Sequence, residues 1–321
     1  MRCRIVILAV LALVSAVCAH AQSYPNRPIR LLVGYPPGGN QDAYARVMAR
    51  AVEGLVGQPI VVDNRSGANG VVATDLVAKA VPDGYTLLHN SISLLIASAV
   101  NSNLPFDITR DLRPITGVAI GLGALLVVHP SVPVQSPKEL IALSHAKSLA
   151  YGSPGTGNNL HVITELFNVR SDARMLHVPY KGAGPAMNAL LGGEVQVAFL
   201  SPSSAVQHIK SGRLRAIGYS GTERFEALPD VPTIAEAGLA GFQMDTGWHA
   251  WFAPSKVPDE AVNKVYTAIR DALQLPKVRE YFRSTGSEPL GEPPAQFYKR
   301  FQTDIKRWGE AARLAKVSPN T

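Results

Sequence analysis

Val33-Gly34-Tyr35-Pro36-Pro37-Gly38-Gly39-Asn40-Gln41-Asp42 is the stretch that decides the fold. The run before it, Ile29 to Val33, is short, apolar and β-branched at both ends, which predicts a buried strand. After it, Ala43, Val47, Met48, Ala51, Val52 and Leu55 recur at helical spacing, which predicts a helix with one apolar face. Two prolines stiffen the approach and two glycines let the backbone turn without a Cβ in the way. The helix then starts with free N–H groups and the positive end of its dipole at the turn, where an anion can sit. A Gly-Gly turn alone marks only a strand-to-helix corner, and this one matches neither Gly-x-Gly-x-x-Gly nor Gly-x4-Gly-Lys-Ser/Thr.

A second turn of the same design gives it weight. Leu149-Ala150-Tyr151-Gly152-Ser153-Pro154-Gly155-Thr156-Gly157-Asn158-Asn159 leads into a helix with Leu160, Ile163, Leu166 and Phe167 on one face. Ser153, Thr156, Asn158 and Asn159 add side-chain donors to the backbone ones. Facing each other across a cleft, the two turns would hold a carboxylate with a group at each end.

Around these turns, strand-like and helix-like segments alternate, which predicts α/β layers, mostly parallel sheets and about two lobes. Tyr85 to His89 reads as a strand running into a polar turn, Asn90-Ser91-Ile92-Ser93, at the sheet edge where ligands sit in open parallel sheets. Asp111-Leu112-Arg113-Pro114 reads as irregular connection, and Gly121 to Val128 as a strand crossing into the second lobe. Ser136-Pro137-Lys138-Glu139 opens a helix with a capping box. Val195 to Leu200 is a buried strand, and Ser201-Pro202-Ser203-Ser204 caps the helix after it. Met244 to Phe252, with Trp248, His249 and Trp251, returns the chain to the first lobe. Pro258 to Lys316 reads as two or three amphipathic helices.

Residues 1–21 have the form of an export signal: Arg2 and Arg4, an apolar run from Ile5 to Val17, and the small-x-small site Ala19-His20-Ala21. The apolar run is too short to span a bilayer comfortably. Lipid attachment at Cys18 is disfavoured by the bulky Val17 before it. Cleavage after Ala21 leaves 321 − 21 = 300 residues and removes both cysteines, so no disulfide, thiolate metal site or cysteine nucleophile is available. The formal charge falls from +7 to (31 − 2) − 24 = +5, spread along the chain, with no basic stripe that argues for nucleic acid. The seven remaining histidines show no short metal-ligand spacing. Gly218-Tyr219-Ser220-Gly221 lacks the closing glycine of a nucleophile elbow.

Several motifs, in order, carry a resemblance: Tyr35-Pro36-Pro37-Gly38-Gly39 with Asp42, Asn64-Arg65-Ser66-Gly67-Ala68, and Pro82-Asp83-Gly84-Tyr85-Thr86-Leu87-Leu88. Gly155-Thr156-Gly157 with His161, Val178-Pro179-Tyr180-Lys181-Gly182, Leu190-Leu191-Gly192-Gly193 and Leu228-Pro229-Asp230-Val231-Pro232-Thr233 follow. The chain resembles the substrate-binding receptors of the tripartite tricarboxylate transporters, the Bug receptors, over nearly all of its mature length. The resemblance implies a two-lobed α/β periplasmic-binding-protein fold of the Venus-flytrap, type II-like kind. It implies a first lobe from residues 22–124 and 246–321 and a second from 125–245.

The resemblance further implies a monomeric periplasmic receptor without cofactor, metal or catalytic residues. Its ligand would be a small carboxylate: a di- or tricarboxylate, an aromatic acid or an amino acid. Its partner would be a set of membrane permease subunits or, alternatively, a sensor protein; a periplasmic enzyme on the same fold is the third reading. The ligand residues are then Tyr35, Pro37, Gly38, Gly39, Asn40 and Asp42 in the first loop and Ser153, Gly155, Thr156, Asn158 and His161 in the second. Ser91, Ser201 and Trp248 complete the set. Asp42 either caps its helix or touches the ligand, and His161 either donates to the ligand or pins its own loop. Gln196 stands where many family members carry Asp, and Leu200 where an acidic or polar residue is usual, which disfavours a ligand ammonium. Trp248, His249 and Trp251 near the cleft would suit a flat aromatic acid, unless Trp251 is core.

Overall fold

The structure, a computed structural model, describes residues 24–318. The proposed signal segment lies outside the described residues. Strands β1 (Ile29–Val33), β2 (Ile60–Asn64), β3 (Thr86–Ser91), β4 (Leu112–Gly121), β10 (Gly247–Pro254) and β11 (Ser287–Pro289) form one sheet in the order β11-β4-β10-β3-β1-β2. Strands β5 (Leu125–Val128), β6 (Leu149–Ser153), β7 (Met175–Pro179), β8 (Val197–Leu200) and β9 (Arg215–Tyr219) form the other, in the order β7-β6-β8-β5-β9. The helices are α1 (Asn40–Val56), α2 (Val71–Ala78), α3 (Ser93–Val100), α4 (Pro137–Ala146), α5 (Asn159–Ser171), α6 (Ala183–Leu191), α7 (Pro202–Lys210), α8 (Asp259–Ala272), α9 (Pro276–Ser284) and α10 (Pro294–Leu314). No helix among the described residues is long and apolar enough to cross a membrane.

Both sheets are mixed rather than mostly parallel, and the reason lies in the crossings. β1 pairs parallel with β2 and β3, and β6 with β7 and β8. β5 enters the second lobe from the cleft, opposing Leu125 to Leu200 at the end of β8, so it runs antiparallel to β8 and β9. β10 returns the same way, starting with Gly247 opposite Gly121 and His249 opposite Ser91. Strands that cross between lobes therefore begin at the cleft edge, whereas β1, β3, β6 and β8 end there.

Three local expectations need correction. The buried face of α1 is Tyr44, Ala45, Met48, Ala49, Val52 and Val56, while Leu55 is exposed, because Tyr44 rather than Ala43 takes the core position. Leu112 begins a ten-residue strand despite Pro114, which sits opposite Phe252 beside a register shift. Ser93–Val100 is a helix, and β4 and β5 are separate strands broken at residues 122–124. Half of the expected capping box of α4 forms: Ser136 accepts from the Glu139 N–H at 3.2 Å, whereas the Glu139 carboxylate accepts at 2.7 Å from the N–H of Gln135, the residue before the cap.

One core cluster packs β1, β3 and β4 residues with Trp251, α1, α8 and α9 on one face of the first sheet. On the other face Leu32, Leu88, Trp248, Ala250 and Phe252 pack with Phe297, Phe301 and Trp308 of α10. That second cluster continues without a break into Phe167, Phe199 and Phe242 of the second lobe. A third fills the far face of the second sheet around Leu125, Met187, Leu190 and Phe225.

Candidate functional site

The first loop is held by Asp42. Its Oδ2 accepts from the Gly38 N–H at 3.0 Å, Arg46 Nε donates to the carboxylate at 3.0 Å, and Asn64 Nδ2 donates to Oδ1 at 2.9 Å and to the Tyr35 carbonyl at 3.0 Å. Burial opposes this charge, but those bonds and the Arg46 cation bring the carboxyl below its ordinary range. Gly38 makes the turn at φ +85°, where a side chain would be strained. Asp42 thus shapes the loop before the helix rather than capping the helix itself, whose N-cap is Gly39.

His161 does the same for the second loop. Its Nδ1 accepts from the Gly157 N–H at 3.0 Å, and Gly157 itself turns at φ +76°. Accepting there requires a lone pair, so the ring is neutral. His161 stacks on His177 at 3.8 Å with an interplanar angle of 12°, and His177 Nε2 meets Ser153 Oγ at 2.7 Å. Burial, with the neighbouring ring, holds the His161 pKa down to about 3, and burial holds His177 at about 4.

Between the loops lies a cavity of about 100 Å³. Tyr35, Pro37, Gly39, Asn40, Ser91, Asn158 and Ser201 of the expected residues line it. Gly38, Asp42, Ser153 and His161 do not line it: Gly38 is exposed on its turn, and the other three are buried within their loops. Gly155 and Thr156 face a neighbouring cavity of about 530 Å³ on the other side of Tyr35, Pro36 and Pro154.

Trp248 is not on the cavity. It is buried among Phe252, Phe297 and Phe301, and its Nε1 donates to Asp304 at 2.9 Å. Trp251 is buried in the core on the opposite face. Period-two alternation puts 248, 250 and 252 on one face of β10 and 249 and 251 on the other, so the three aromatic positions cannot share the cleft. Gln196 is also elsewhere: it accepts from the Ala150 N–H at 3.0 Å and donates to the Gly193 carbonyl at 3.2 Å, at the end of β8 away from the cleft. Leu200 is buried in the second lobe's core.

The wall also contains residues outside the expected ligand set, although Asn159 was read from the sequence as a donor of the second turn and His249 as near the cleft. Gln41 and His249 join Ser91 on the first-lobe side, and Asn159, Ala183 and Thr246 complete the rim. Gln41 Nε2 donates to Ser91 Oγ. His249 is held between Tyr44, centroid at 4.6 Å, and His89 at 5.7 Å, and burial lowers its pKa to about 3. The signal for His249 was its parity on β10 and the register that sets it beside Ser91. Burial, the largest effect on Tyr35, pushes its hydroxyl up to about 12; the group lies in the polar field of Ser93, Asn158 and Ser91 but forms a full hydrogen bond with none of them.

The lobes meet through small polar groups. Asn159 Nδ2 donates to the Thr246 carbonyl at 2.6 Å, its N–H to Ser93 Oγ at 3.2 Å, and Ser203 Oγ donates to Asn40 Oδ1 at 3.0 Å. Asn69 Nδ2 donates to the Thr156 carbonyl.

Electrostatically, the cavity is defined by helix starts. α1, α5, α6 and α7 all present their first residue or N-cap to it: Gly39 and Asn40, Asn158 and Asn159, Ala183, and Ser201. Each start carries roughly half a positive charge, so four amount to about two. None of the lining residues is Lys, Arg, Asp or Glu. An anion here would be held by oriented dipoles alone.

The neutral buried histidines make stability depend on pH. Unfolded histidines titrate near 6.5, whereas His161, His177 and His249 take up protons only at about 3 to 4 when folded. Between those values the unfolded chain binds more protons, so acid favours unfolding, by about 1.4 kcal/mol per pH unit for each such ring once well below pH 6.5. The urea midpoint should therefore drop clearly from pH 7 to pH 5. An unchanged midpoint would contradict the neutral, enclosed rings described above.

Two mixed sheets joined by crossing strands, with helix starts converging on the cavity between them, define a two-lobed solute-binding protein. The comparisons agree and narrow the class. Residues 44–315 match the family described as tripartite tricarboxylate transporter family receptor. Protein BugT of Bordetella pertussis is 37% identical over 297 residues, covering 91% of this chain and 90% of the relative. Among solved structures, a protein of R. palustris solved with adipate is 30% identical with a TM-score of 0.87, covering 92% of this chain and 99% of that one. MatC from Rhodopseudomonas palustris with bound malate is 30% identical with a TM-score of 0.83, covering 90% and 99%. The chain belongs to the tripartite tricarboxylate transporter family of receptors.

Proposed function

We propose that this chain is a monomeric periplasmic receptor that captures a small carboxylate in the cleft and delivers it to the membrane subunits of a tripartite tricarboxylate-type transporter. The observation that carries this reading is the convergence of four helix N-termini on one enclosed cavity with no lining cation. Residues 1–21 would direct export and be removed. Residues 22–124 and 246–321 would move as one lobe and 125–245 as the other, a division that follows the membership of the two sheets. The relatives solved with adipate and with malate support the ligand class. Capture works by closure: one lobe binds the acid first, and contacts from the other lobe favour the closed arrangement by their differential affinity. That arrangement is the one a transporter would read.

The test is a thermal-shift screen of residues 22–321, stripped of carried-over ligand by unfolding and refolding, against carboxylates, amino acids and neutral amides. A ligand at a hundred times its dissociation constant adds roughly 2.7 kcal/mol, which for this size raises the midpoint by roughly 5 °C. A shift with one class of carboxylate, and recovery of that acid unchanged by mass spectrometry, is the expected result. Shifts with neutral compounds only would remove the anion from the proposal.

A further inference from the structure

The four helix starts are not equivalent. α1 already carries an acid in its first turn: Asp42 consumes the Gly38 N–H and sets its own charge against that dipole. α5, α6 and α7, all from the second lobe, have no acid in their first turns. The uncompensated positive ends therefore lie on the second-lobe side of the cavity.

The first-lobe side has a different chemistry. Most polar groups on the wall satisfy one another: Asn158 caps α5, Asn159 bonds Thr246, and Ser91 Oγ accepts from Gln41 and from the Ser93 N–H. Three side chains, all from the first lobe, keep a polar atom without a protein partner: Gln41 Oε1, His249 Nδ1 and the Tyr35 hydroxyl. Each of these residues is at least nine-tenths buried, at 9%, 7% and 7% exposure, so bulk water does not serve these atoms. Asn40 lies against the histidine: its oxygen accepts from Ser203 at 3.0 Å, and its amide nitrogen is 3.5 Å from His249 Nε2. The first-lobe wall thus offers an amide oxygen, an imidazole nitrogen and a hydroxyl, and all three are uncharged.

We infer that this receptor is specific for an acid of unlike ends, with one carboxylate on the helix starts of the second lobe and an uncharged group that both donates and accepts hydrogen bonds, a hydroxyl or a primary amide, against Gln41, His249 and Tyr35. This rests on the carboxylate-receptor reading and sharpens it. A second carboxylate would set its oxygens against Gln41 Oε1 and leave that acceptor unmet. An ammonium would find no acid on the wall to balance it. A methyl end would leave all three polar atoms buried and unpaired, the costly outcome for any buried polar group.

Titration calorimetry on residues 22–321 tests this with straight-chain acids of four, five and six carbons. At each length the distal group is a carboxylate, a hydroxyl, a primary amide or a methyl. At the best-fitting length, the hydroxy acid or the half-amide should bind at least tenfold more tightly than the dicarboxylate and the plain acid. Gln41→Met should cut the advantage over the plain acid to threefold or less. A dicarboxylate that binds as tightly as, or more tightly than, its hydroxy and amide counterparts at every length overturns the inference and leaves the receptor reading intact. Failure of every acid in the series overturns both. The comparison on the unsubstituted protein decides the matter even if the variant does not fold.

Discussion

Gly39→Asp should severely weaken ligand binding and leave the protein as stable as before, or slightly more so. Gly39 is the N-cap of α1, with φ −82° and ψ 170°, a conformation open to any residue, and a Cβ there meets nothing closer than the Pro36 carbonyl at 3.8 Å. Asp is among the preferred N-cap residues and would bond the free N–H groups of the first turn, a gain of a few tenths of a kcal/mol over glycine. Gly39 also lines the cavity. A carboxylate placed there would put a second negative charge into a cavity of about 100 Å³ that has no lining cation; across the cavity, at about 6 Å, the repulsion is about 3 kcal/mol at an effective dielectric of 20, or about a hundredfold in affinity. Gly39→Asn supplies the same shape without the charge and should keep most of the binding. Calorimetry and thermal melts on the three proteins check this, and wild-type affinity in the Asp variant would remove the first loop from the site.

The second large effect is on stability rather than binding. Trp248→Ala should cost about 4 kcal/mol, as large-to-small changes of buried aromatic residues do. It removes the indole from between Phe252, Phe297 and Phe301 and takes away the donor to Asp304. Burial already raises the Asp304 carboxyl, so a lost hydrogen bond leaves it poorly served. Trp248→Phe keeps most of the bulk and should cost about 1–3 kcal/mol, the toll of one unmet buried partner. Urea midpoints measure both, and affinity in the folded fraction should stay within about twofold. Loss of binding with an unchanged midpoint would put Trp248 back in the cleft.

That pair of variants also separates what the sequence made legible from what it did not. The two loops could be read because Gly-Gly and Gly-x-Gly after an apolar run have few other uses, and the wall residues Tyr35, Gly39, Asn40 and Asn158 come from them directly. The return of the chain through residues 244–252 was legible from its apolar run. Its facing was not: parity along β10 decides that Trp248 supports α10 while His249 reaches the cavity, and parity needs a register that only the neighbouring strands supply. α3 was hidden because Ser93–Val100 buries nearly every side and shows no amphipathic period. β4 was hidden by Pro114, which a strand tolerates here only beside a bulge. Gln196 was misplaced for a different reason, since a family position says nothing about which end of its strand faces the ligand.

The placement of β10 between β3 and β4 has a bearing on time as well as on space. The second sheet is made from one uninterrupted length of chain, Leu125 to Tyr219, and can pair as soon as that length is available. The first sheet cannot. Its first four strands are synthesised early, yet β3 and β4 touch only through a strand that follows the whole second sheet, and α10, which covers one face, is later still. Long-range pairings of this kind form slowly and late. The first half of the chain must therefore wait, incomplete, for the last quarter, and the wall that carries His249 is among the last parts of the cleft to arrive. A truncated chain could carry both glycine loops intact and still have no site.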